Sequence, residues 1–273
     1  MESYRDFAEV YDEFMDATPY EAWCSRIIEI INKYGVSKPA SGMDIENLSE
    51  EEKALLSERN LVLDLGCGTG TLTEMMAKEG YDMMGIDMSY DMLQIAMDKQ
   101  VESEYDIMYL CQDMRELELY CTVGTVICVC DSINYVLEDE EVIETFSRVN
   151  NYLYPKGLFI FDFNTNYKYA EVIGDTTIAE NREDCSFIWD NYYDEESHIN
   201  EYDLTVFVKD KDEEEVFRRF QETHFQRGYE LQEMLGFVQA AGLEFVMAVD
   251  ADTDGEVTSA TERVLMVCRE KGK

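Results

Sequence analysis

The stretch Leu61 to Gly70, LVLDLGCGTG, constrains what this chain can fold into more than any other. An apolar run (Leu61, Val62, Leu63, Leu65) carries a single acid, Asp64, and passes directly into Gly66, Gly68 and Gly70. That is the pattern of a buried parallel strand ending in a tight turn. Glycines at alternate positions permit positive φ and remove the Cβ atoms that would hold a ligand away from the backbone. A helix beginning near Thr71 would aim its unpaired N–H groups at the same place. The pattern asks for a nucleotide-like cofactor.

Spacing narrows the choice. The dinucleotide fingerprint G-x-G-x-x-G places its third glycine where the helix packs closely on the strand. Here the third glycine comes one residue early, at Gly70, and Thr71 stands where Gly or Ala is wanted. The next apolar run, Tyr81 to Ile86, ends in Asp87, an acid placed to accept both hydroxyls of a ribose. With these residues the stretch resembles the class I S-adenosylmethionine-dependent methyltransferases. Their signature is D-x-G-C-G-T-G followed by an acid closing the second strand, matched here by Asp64, Gly66, Cys67, Gly68, Gly70 and Asp87. The resemblance implies S-adenosyl-L-methionine as cofactor.

Sixty acidic against twenty-two basic residues give a formal charge of -38, which repels nucleic acid and anionic membranes. It could attract a cationic acceptor, or merely solvate the surface. The eight cysteines are scattered without a C-x-x-C pair, the pattern of reduced thiols in a cytoplasmic protein. With two histidines in 273 residues, a metal site is not expected. No apolar run reaches the length of a membrane span.

Before the first strand, Tyr4 to Tyr34 reads as two helices broken at Pro19, with Phe7, Val10, Tyr11, Phe14 and Met15 at helical spacing in the first. Ser37 to Asn60 reads as a loop and a short exposed helix. In several small-molecule methyltransferases a similar Tyr-Asp segment folds over the cofactor as a lid. That resemblance implies Tyr11 near the cofactor, with Tyr4, Tyr20 and Trp23 as further candidates. It also implies Met88 against the adenine ring, and Asp113, within Gln112-Asp113-Met114, bonding the adenine amine. Asp113 could equally cap a turn.

The fourth strand, Thr125 to Cys130, leads into Asp131-Ser132-Ile133-Asn134-Tyr135. Loops beyond the carboxyl ends of parallel strands form the clefts of open α/β sheets. A similar D-S-I-N-Y occurs in a subgroup of bacterial methyltransferases, beside the methionine part of the cofactor. It makes Asn134 and Tyr135 candidates for the methyl-transfer pocket; Asp131 binds there or caps the next turn. After a helix, Asp139 to Tyr152, the fifth strand Gly157 to Phe163 aims Asp162 at the cleft.

From Tyr167 to Gly228 polar and apolar residues alternate with period two, as in antiparallel strands connected at Asp194–Ser197 and Lys211–Glu213. Such an insertion would wall the acceptor site, lined by Trp189, Tyr193 and His224, although Trp189 could simply hold the insertion to the main sheet. A helix from Tyr229 to Ala241 and an antiparallel pair, Leu243–Val249 and Arg263–Cys268, close the chain. Asp250, Asp252, Asp254 and Gly255 resemble a calcium loop, but Thr261 stands where its glutamate belongs.

The expected fold is α/β: a Rossmann-like, seven-stranded, mostly parallel sheet with helices on both faces, plus a small antiparallel insertion. Residues 1–60 would be lid and connector, 61–166 and 229–273 the cofactor domain, and 167–228 the lid over the acceptor. The expected activity is methyl transfer to a small-molecule acceptor, at nitrogen or oxygen, with Tyr11, Asn134, Tyr135 and His224 in the reaction site. An NAD-dependent oxidoreductase and a non-catalytic cofactor-binding regulator remain as alternatives. The acceptor's identity and the oligomeric state are left open.

Overall fold

The computed structural model describes residues 7–40, 47–210, 213 and 216–273. Tyr4, Gly42 and Glu46 lie outside them, as do Lys211 and Asp212 of the second expected hairpin connection.

Period-two burial builds a two-faced sheet. Its strands are β1 (Val62–Leu65), β2 (Met83–Asp87), β3 (Ile107–Cys111), β4 (Val123–Cys128) and β5 (Leu153–Asn164). On β5, Phe159, Phe161 and Phe163 point to one face, where they meet Phe146 and Val149. Leu158 and Ile160 point to the other, toward Ile27, Ile31 and Met76. The first face is covered by α6 (Asp139–Tyr152) and α7 (Leu231–Ala240), the second by α2 (Tyr20–Tyr34) and α4 (Thr71–Lys78). β1 and β4 are buried at every position, and apart from Asp64 and Thr125 their side chains are apolar, as burial on both faces favours. A further helix, α5 (Tyr90–Ser103), joins β2 to β3.

With β10 (Glu244–Asp250) and β11 (Arg263–Arg269) the sheet has seven strands in the order β10-β11-β5-β4-β1-β2-β3. Only β11 runs against its neighbours, pairing antiparallel with both β5 and β10. The loop between β10 and β11 uses its acids on arginines: Asp254 pairs with Arg26 and Asp252 with Arg263. The connector before β1 ends in α3 (Glu50–Asn60), started by a capping box between Ser49 and Glu52.

The inserted sheet is β6 (Thr177–Asn181), β7 (Cys185–Asp194), β8 (Ile199–Lys209) and β9 (Phe217–Arg227), paired in that order and antiparallel throughout. It begins later than its sequence pattern suggested, because Lys168–Ile173 first forms a π-helical turn that buries Tyr169. One face of β8 presents Tyr202, Leu204, Val206 and Val208, which pack with Val10 of α1 (Ala8–Phe14). The ring of Phe14 meets Phe187 edge-on, and Arg182 pairs with Asp16 just past the helix. Thus α1 is seated on the insertion while α2 is seated on the main sheet.

Candidate active site

The site is assembled at the carboxyl ends of β1, β2, β3 and β4. After β1 the backbone turns through Gly66, Gly68 and Gly70, all at positive φ (80°, 54° and 75°). The amides of Gly66 and Cys67 both donate to the carbonyl of Ile86, fixing this turn to β2. Asp87 completes the joint: its Oδ2 accepts from the Gly68 amide and its Oδ1 from the Ser89 amide, each at 2.8 Å. A Cβ built on Gly68 would meet nothing within 4 Å, so this glycine leaves a bare cradle in front of the turn. A Cβ on Gly66 would lie 2.7 Å from Ser132 Oγ, so there the missing side chain admits the loop after β4.

A cavity runs from this cradle toward the N-terminal helix. Asp64, Gly66, Cys67, Gly68, Asp87, Met88, Gln112, Asp113 and Met114 line one part of it. Tyr11, Tyr20, Cys130 and Tyr135 line another. Burial pushes the Asp64 carboxyl up to about 7, opposed by the Thr73 hydroxyl that donates to it at 2.6 Å. Burial likewise raises Asp87, against its amide hydrogen bonds. Asp113 moves the other way: the Arg115 guanidinium, bonded to both its oxygens, holds it below the usual carboxylate range. Asp113 also caps the 3-10 turn Met114–Glu116 through the Arg115 amide.

The N-terminal helix covers the cavity. Tyr11 Oη lies 3.9 Å from Cys130 Sγ. Next to it, Asp12 forms an ion pair with Lys99 at 2.5 Å and accepts from Thr69 Oγ1 at 2.6 Å. Lys99 in turn donates to the Thr69 carbonyl and to Thr71 Oγ1, both at 3.0 Å. This latch joins α1 to the glycine turn, and reading the sequence for apolar stripes could not reveal it.

Several expected residues do not line the cavity. Gly70 lies against Tyr109, whose hydroxyl would be 2.5 Å from an added Cβ. Asn134 is fully buried, donating to the carbonyls of Asn164 and Arg227 and accepting from the Asn164 amide. It joins the turn after β4 to both sheets, which is why an amide side chain is needed there. Asp131 accepts from Gln226 Nε2 at 2.6 Å, and its own amide donates to Asp162. His224 stands behind Tyr135, with Nδ1 3.2 Å from the Tyr135 hydroxyl. The remaining candidates do not line it either: Trp23 carries Arg263 over its ring, Trp189 packs on Tyr202, and Tyr193 meets His198, so the inserted sheet contributes no described residue to the wall of this cavity.

The fourth strand ends at Cys128 rather than Cys130, because Cys130 and Asp131 adopt left-handed conformations (φ 62° and 51°). Cys128 therefore faces the core while Cys130 enters the cavity. Asp162, expected to face the cleft, is instead buried outside the cavity lining, where it holds this bend by accepting from the amides of Cys130 and Asp131. Its burial pushes its carboxyl up to about 6 against the pull of Arg263.

Residues 62–157 match the family described as "Methyltransferase domain". The chain is 34% identical over 268 residues to a Geobacillus sp. (strain WCH70) protein named as a "Putative methyltransferase", covering 98% of this chain and 99% of that one. It is 34% identical over 262 residues to "Putative methyltransferase YqeM" of Bacillus subtilis (strain 168), covering 96% and 94%. A solved S-adenosylmethionine-dependent methyltransferase from Clostridium acetobutylicum ATCC 824 superposes with a TM-score of 0.81 at 27% identity, over 98% of this chain and 99% of that one. These similarities decide between the readings left open by the sequence, and they agree with the bare glycine cradle beside Asp87. The chain belongs to the class I S-adenosylmethionine-dependent methyltransferases, and S-adenosylmethionine is its cofactor.

Proposed function

We propose that the protein methylates a nitrogen or oxygen of a small molecule held where Tyr11, Tyr20, Cys130 and Tyr135 meet. The observation that carries this reading is the continuity of one cavity from Asp87 and Met88 to those aromatic side chains, beneath the latched helix α1. In this reading Asp87 takes the ribose hydroxyls and Met88 lies on the adenine. Gln112, Asp113 and Met114 meet the adenine edge, while the turn from Asp64 to Gly70 holds the methionine part.

The bound cofactor supplies a methyl group on a sulfonium whose sulfur leaves neutral. What the chain has to do is place the acceptor lone pair behind that carbon, a positioning effect of roughly 7 to 11 kcal/mol in favourable cases. Tyr11 and Tyr135 touch the acceptor. Their ring faces attract a cation, and exclusion of water around them favours a neutral amine over an ammonium. Asn134 and Asp131 hold the loop that carries Tyr135, and His224 acts from behind it. The charge of -38 disfavours nucleic acid as acceptor. All eight cysteines are free thiols, which fits a reducing cytoplasm. No helix of the described residues is long and apolar enough to cross a membrane.

The test incubates the purified protein with methyl-labelled S-adenosylmethionine and a fractionated cell extract. Label is expected in the low-mass fraction. Label confined to protein or nucleic acid would overturn the small-molecule reading.

A further inference from the structure

Three side chains are strung from the acceptor end of the cavity into the inserted sheet. Tyr135 lines the cavity, and its hydroxyl stands 3.2 Å from His224 Nδ1 and 2.7 Å from the Tyr202 hydroxyl. His224 is 1% exposed, and its Nε2 lies 3.2 Å from Glu222 Oε2. Glu222 and His224 are two residues apart on β9 and so share a face. Tyr202 is the partner of His224 across the β8–β9 ladder, with the two rings stacked 4.8 Å apart at 8°. The imidazole is therefore held on its face by Tyr202 and at its two nitrogens by Glu222 and Tyr135. A carboxylate at Nε2 keeps a proton there and leaves Nδ1 as the acceptor.

We propose that Tyr135, His224 and Glu222 form a proton-withdrawing relay, and that the acceptor is an alcohol or phenol. This rests on the small-molecule methyltransferase reading and deepens it. An amine can shed its proton to water before it binds. An alcohol or an unactivated phenol keeps its proton at neutral pH and must lose it as the new bond forms, so it requires a built base. As the acceptor oxygen bonds the methyl carbon, whose former bonding pair stays with the departing sulfur, the hydroxyl proton passes to Tyr135 Oη. The proton of Tyr135 moves to His224 Nδ1, and the resulting imidazolium is paired with Glu222. Tyr135 is the catalytic residue; His224 and Glu222 act through it.

Two measurements test this without knowledge of the natural acceptor. His198 and His224 are the only histidines, so nitrogen-15 NMR of the full chain, assigned with His198→Gln, reads the tautomer of His224. The Nε2–H form is expected; an Nδ1–H form overturns the relay, because Nδ1 could not receive a proton. The second measurement titrates 4-nitrophenol into protein loaded with S-adenosylhomocysteine. The bound phenol is expected to ionise about one pH unit lower than the free phenol, and Tyr135→Phe and His224→Gln are expected to abolish the difference. Ionisation at higher pH, which burial without a base would cause, overturns the relay. If S-adenosylhomocysteine binds and the phenol does not, the hydroxyl class is overturned while the methyltransferase reading stands. If S-adenosylhomocysteine does not bind, that reading fails instead, and the tautomer still reports on the relay.

Discussion

The amide of Gly68 donates to Oδ2 of Asp87 over 2.8 Å, so the turn after β1 and the acid closing β2 form one rigid corner. Asp87 is thus both a wall of the cavity and the brace of the backbone that forms its floor. Replacing it with alanine removes a charge-assisted acceptor as well as the partners of two amides. Asp87→Ala is expected to weaken S-adenosylhomocysteine binding by roughly 2 to 4 kcal/mol. Isothermal titration reads this directly, and an unchanged affinity would remove Asp87 from the cofactor site.

The two glycines of the turn should respond differently to the same methyl group. In Gly66→Ala the new Cβ collides with Ser132, at 2.7 Å from Oγ and 2.9 Å from Cβ, and φ is +80°. The cost is about 2 to 4 kcal/mol of stability, from overpacking and left-handed strain together. In Gly68→Ala the methyl meets no protein atom within 4 Å, so strain alone costs about 1 to 2 kcal/mol. That methyl fills the cradle, and S-adenosylhomocysteine affinity should fall at least tenfold. Thermal unfolding and titration of both variants check the ordering, which a larger stability loss in Gly68→Ala would reverse.

The Asp12–Lys99 latch is partly exposed, with side-chain exposures of 39% and 27%, so its contribution to global stability is small. Lys99→Met is expected to cost less than about 1 kcal/mol. It also frees Thr69 and Thr71 from the lysine, loosening α1 above the cavity. The dissociation rate of S-adenosylhomocysteine, followed by stopped flow, should rise several-fold. An unaltered rate would mean that α1 does not gate release.

Asp64 makes stability depend on pH. Its carboxyl titrates at about 7 when folded against an ordinary 3.8, chiefly because it is buried. Between those values the folded state holds more protons than the unfolded one. Stability therefore falls as pH rises through this window, and the whole loss is present above it. Asp162, pushed up to about 6 by the same cause, adds to the trend. Asp64→Asn should raise stability above pH 7 by on the order of a few kcal/mol and flatten the profile below it. Denaturant unfolding from acid to neutral pH measures both, and a variant profile parallel to that of the wild type would contradict the assignment.

Much of this arrangement was legible in the sequence, for identifiable reasons. The sheet announced itself because strands buried on both faces are mostly apolar runs, and the cofactor end because bare backbone beside an acid demands a particular spacing. Asn134 was misplaced because a polar residue after an apolar strand looks the same whether it faces a ligand or bonds two carbonyls inside the protein. The left-handed bend at Cys130 left no mark, since neither Cys nor Asp signals positive φ as glycine does. Asp12, Lys99 and Thr69 were invisible as a group, because nothing local relates residues brought together only by the seating of α1.

The inserted sheet departs from β5 and returns to α7 at one place, where Thr165 bridges Tyr229 and Gly228 packs against Asn166. With exit and return side by side, the stretch between them can lengthen, shorten or be exchanged while β5 keeps its register with β11. The corner formed by β1 and β2 lies outside that excursion. Natural variation can therefore rework the inserted sheet without disturbing the corner where the Gly68 amide meets Asp87, and the two parts of the chain are free to evolve at different rates.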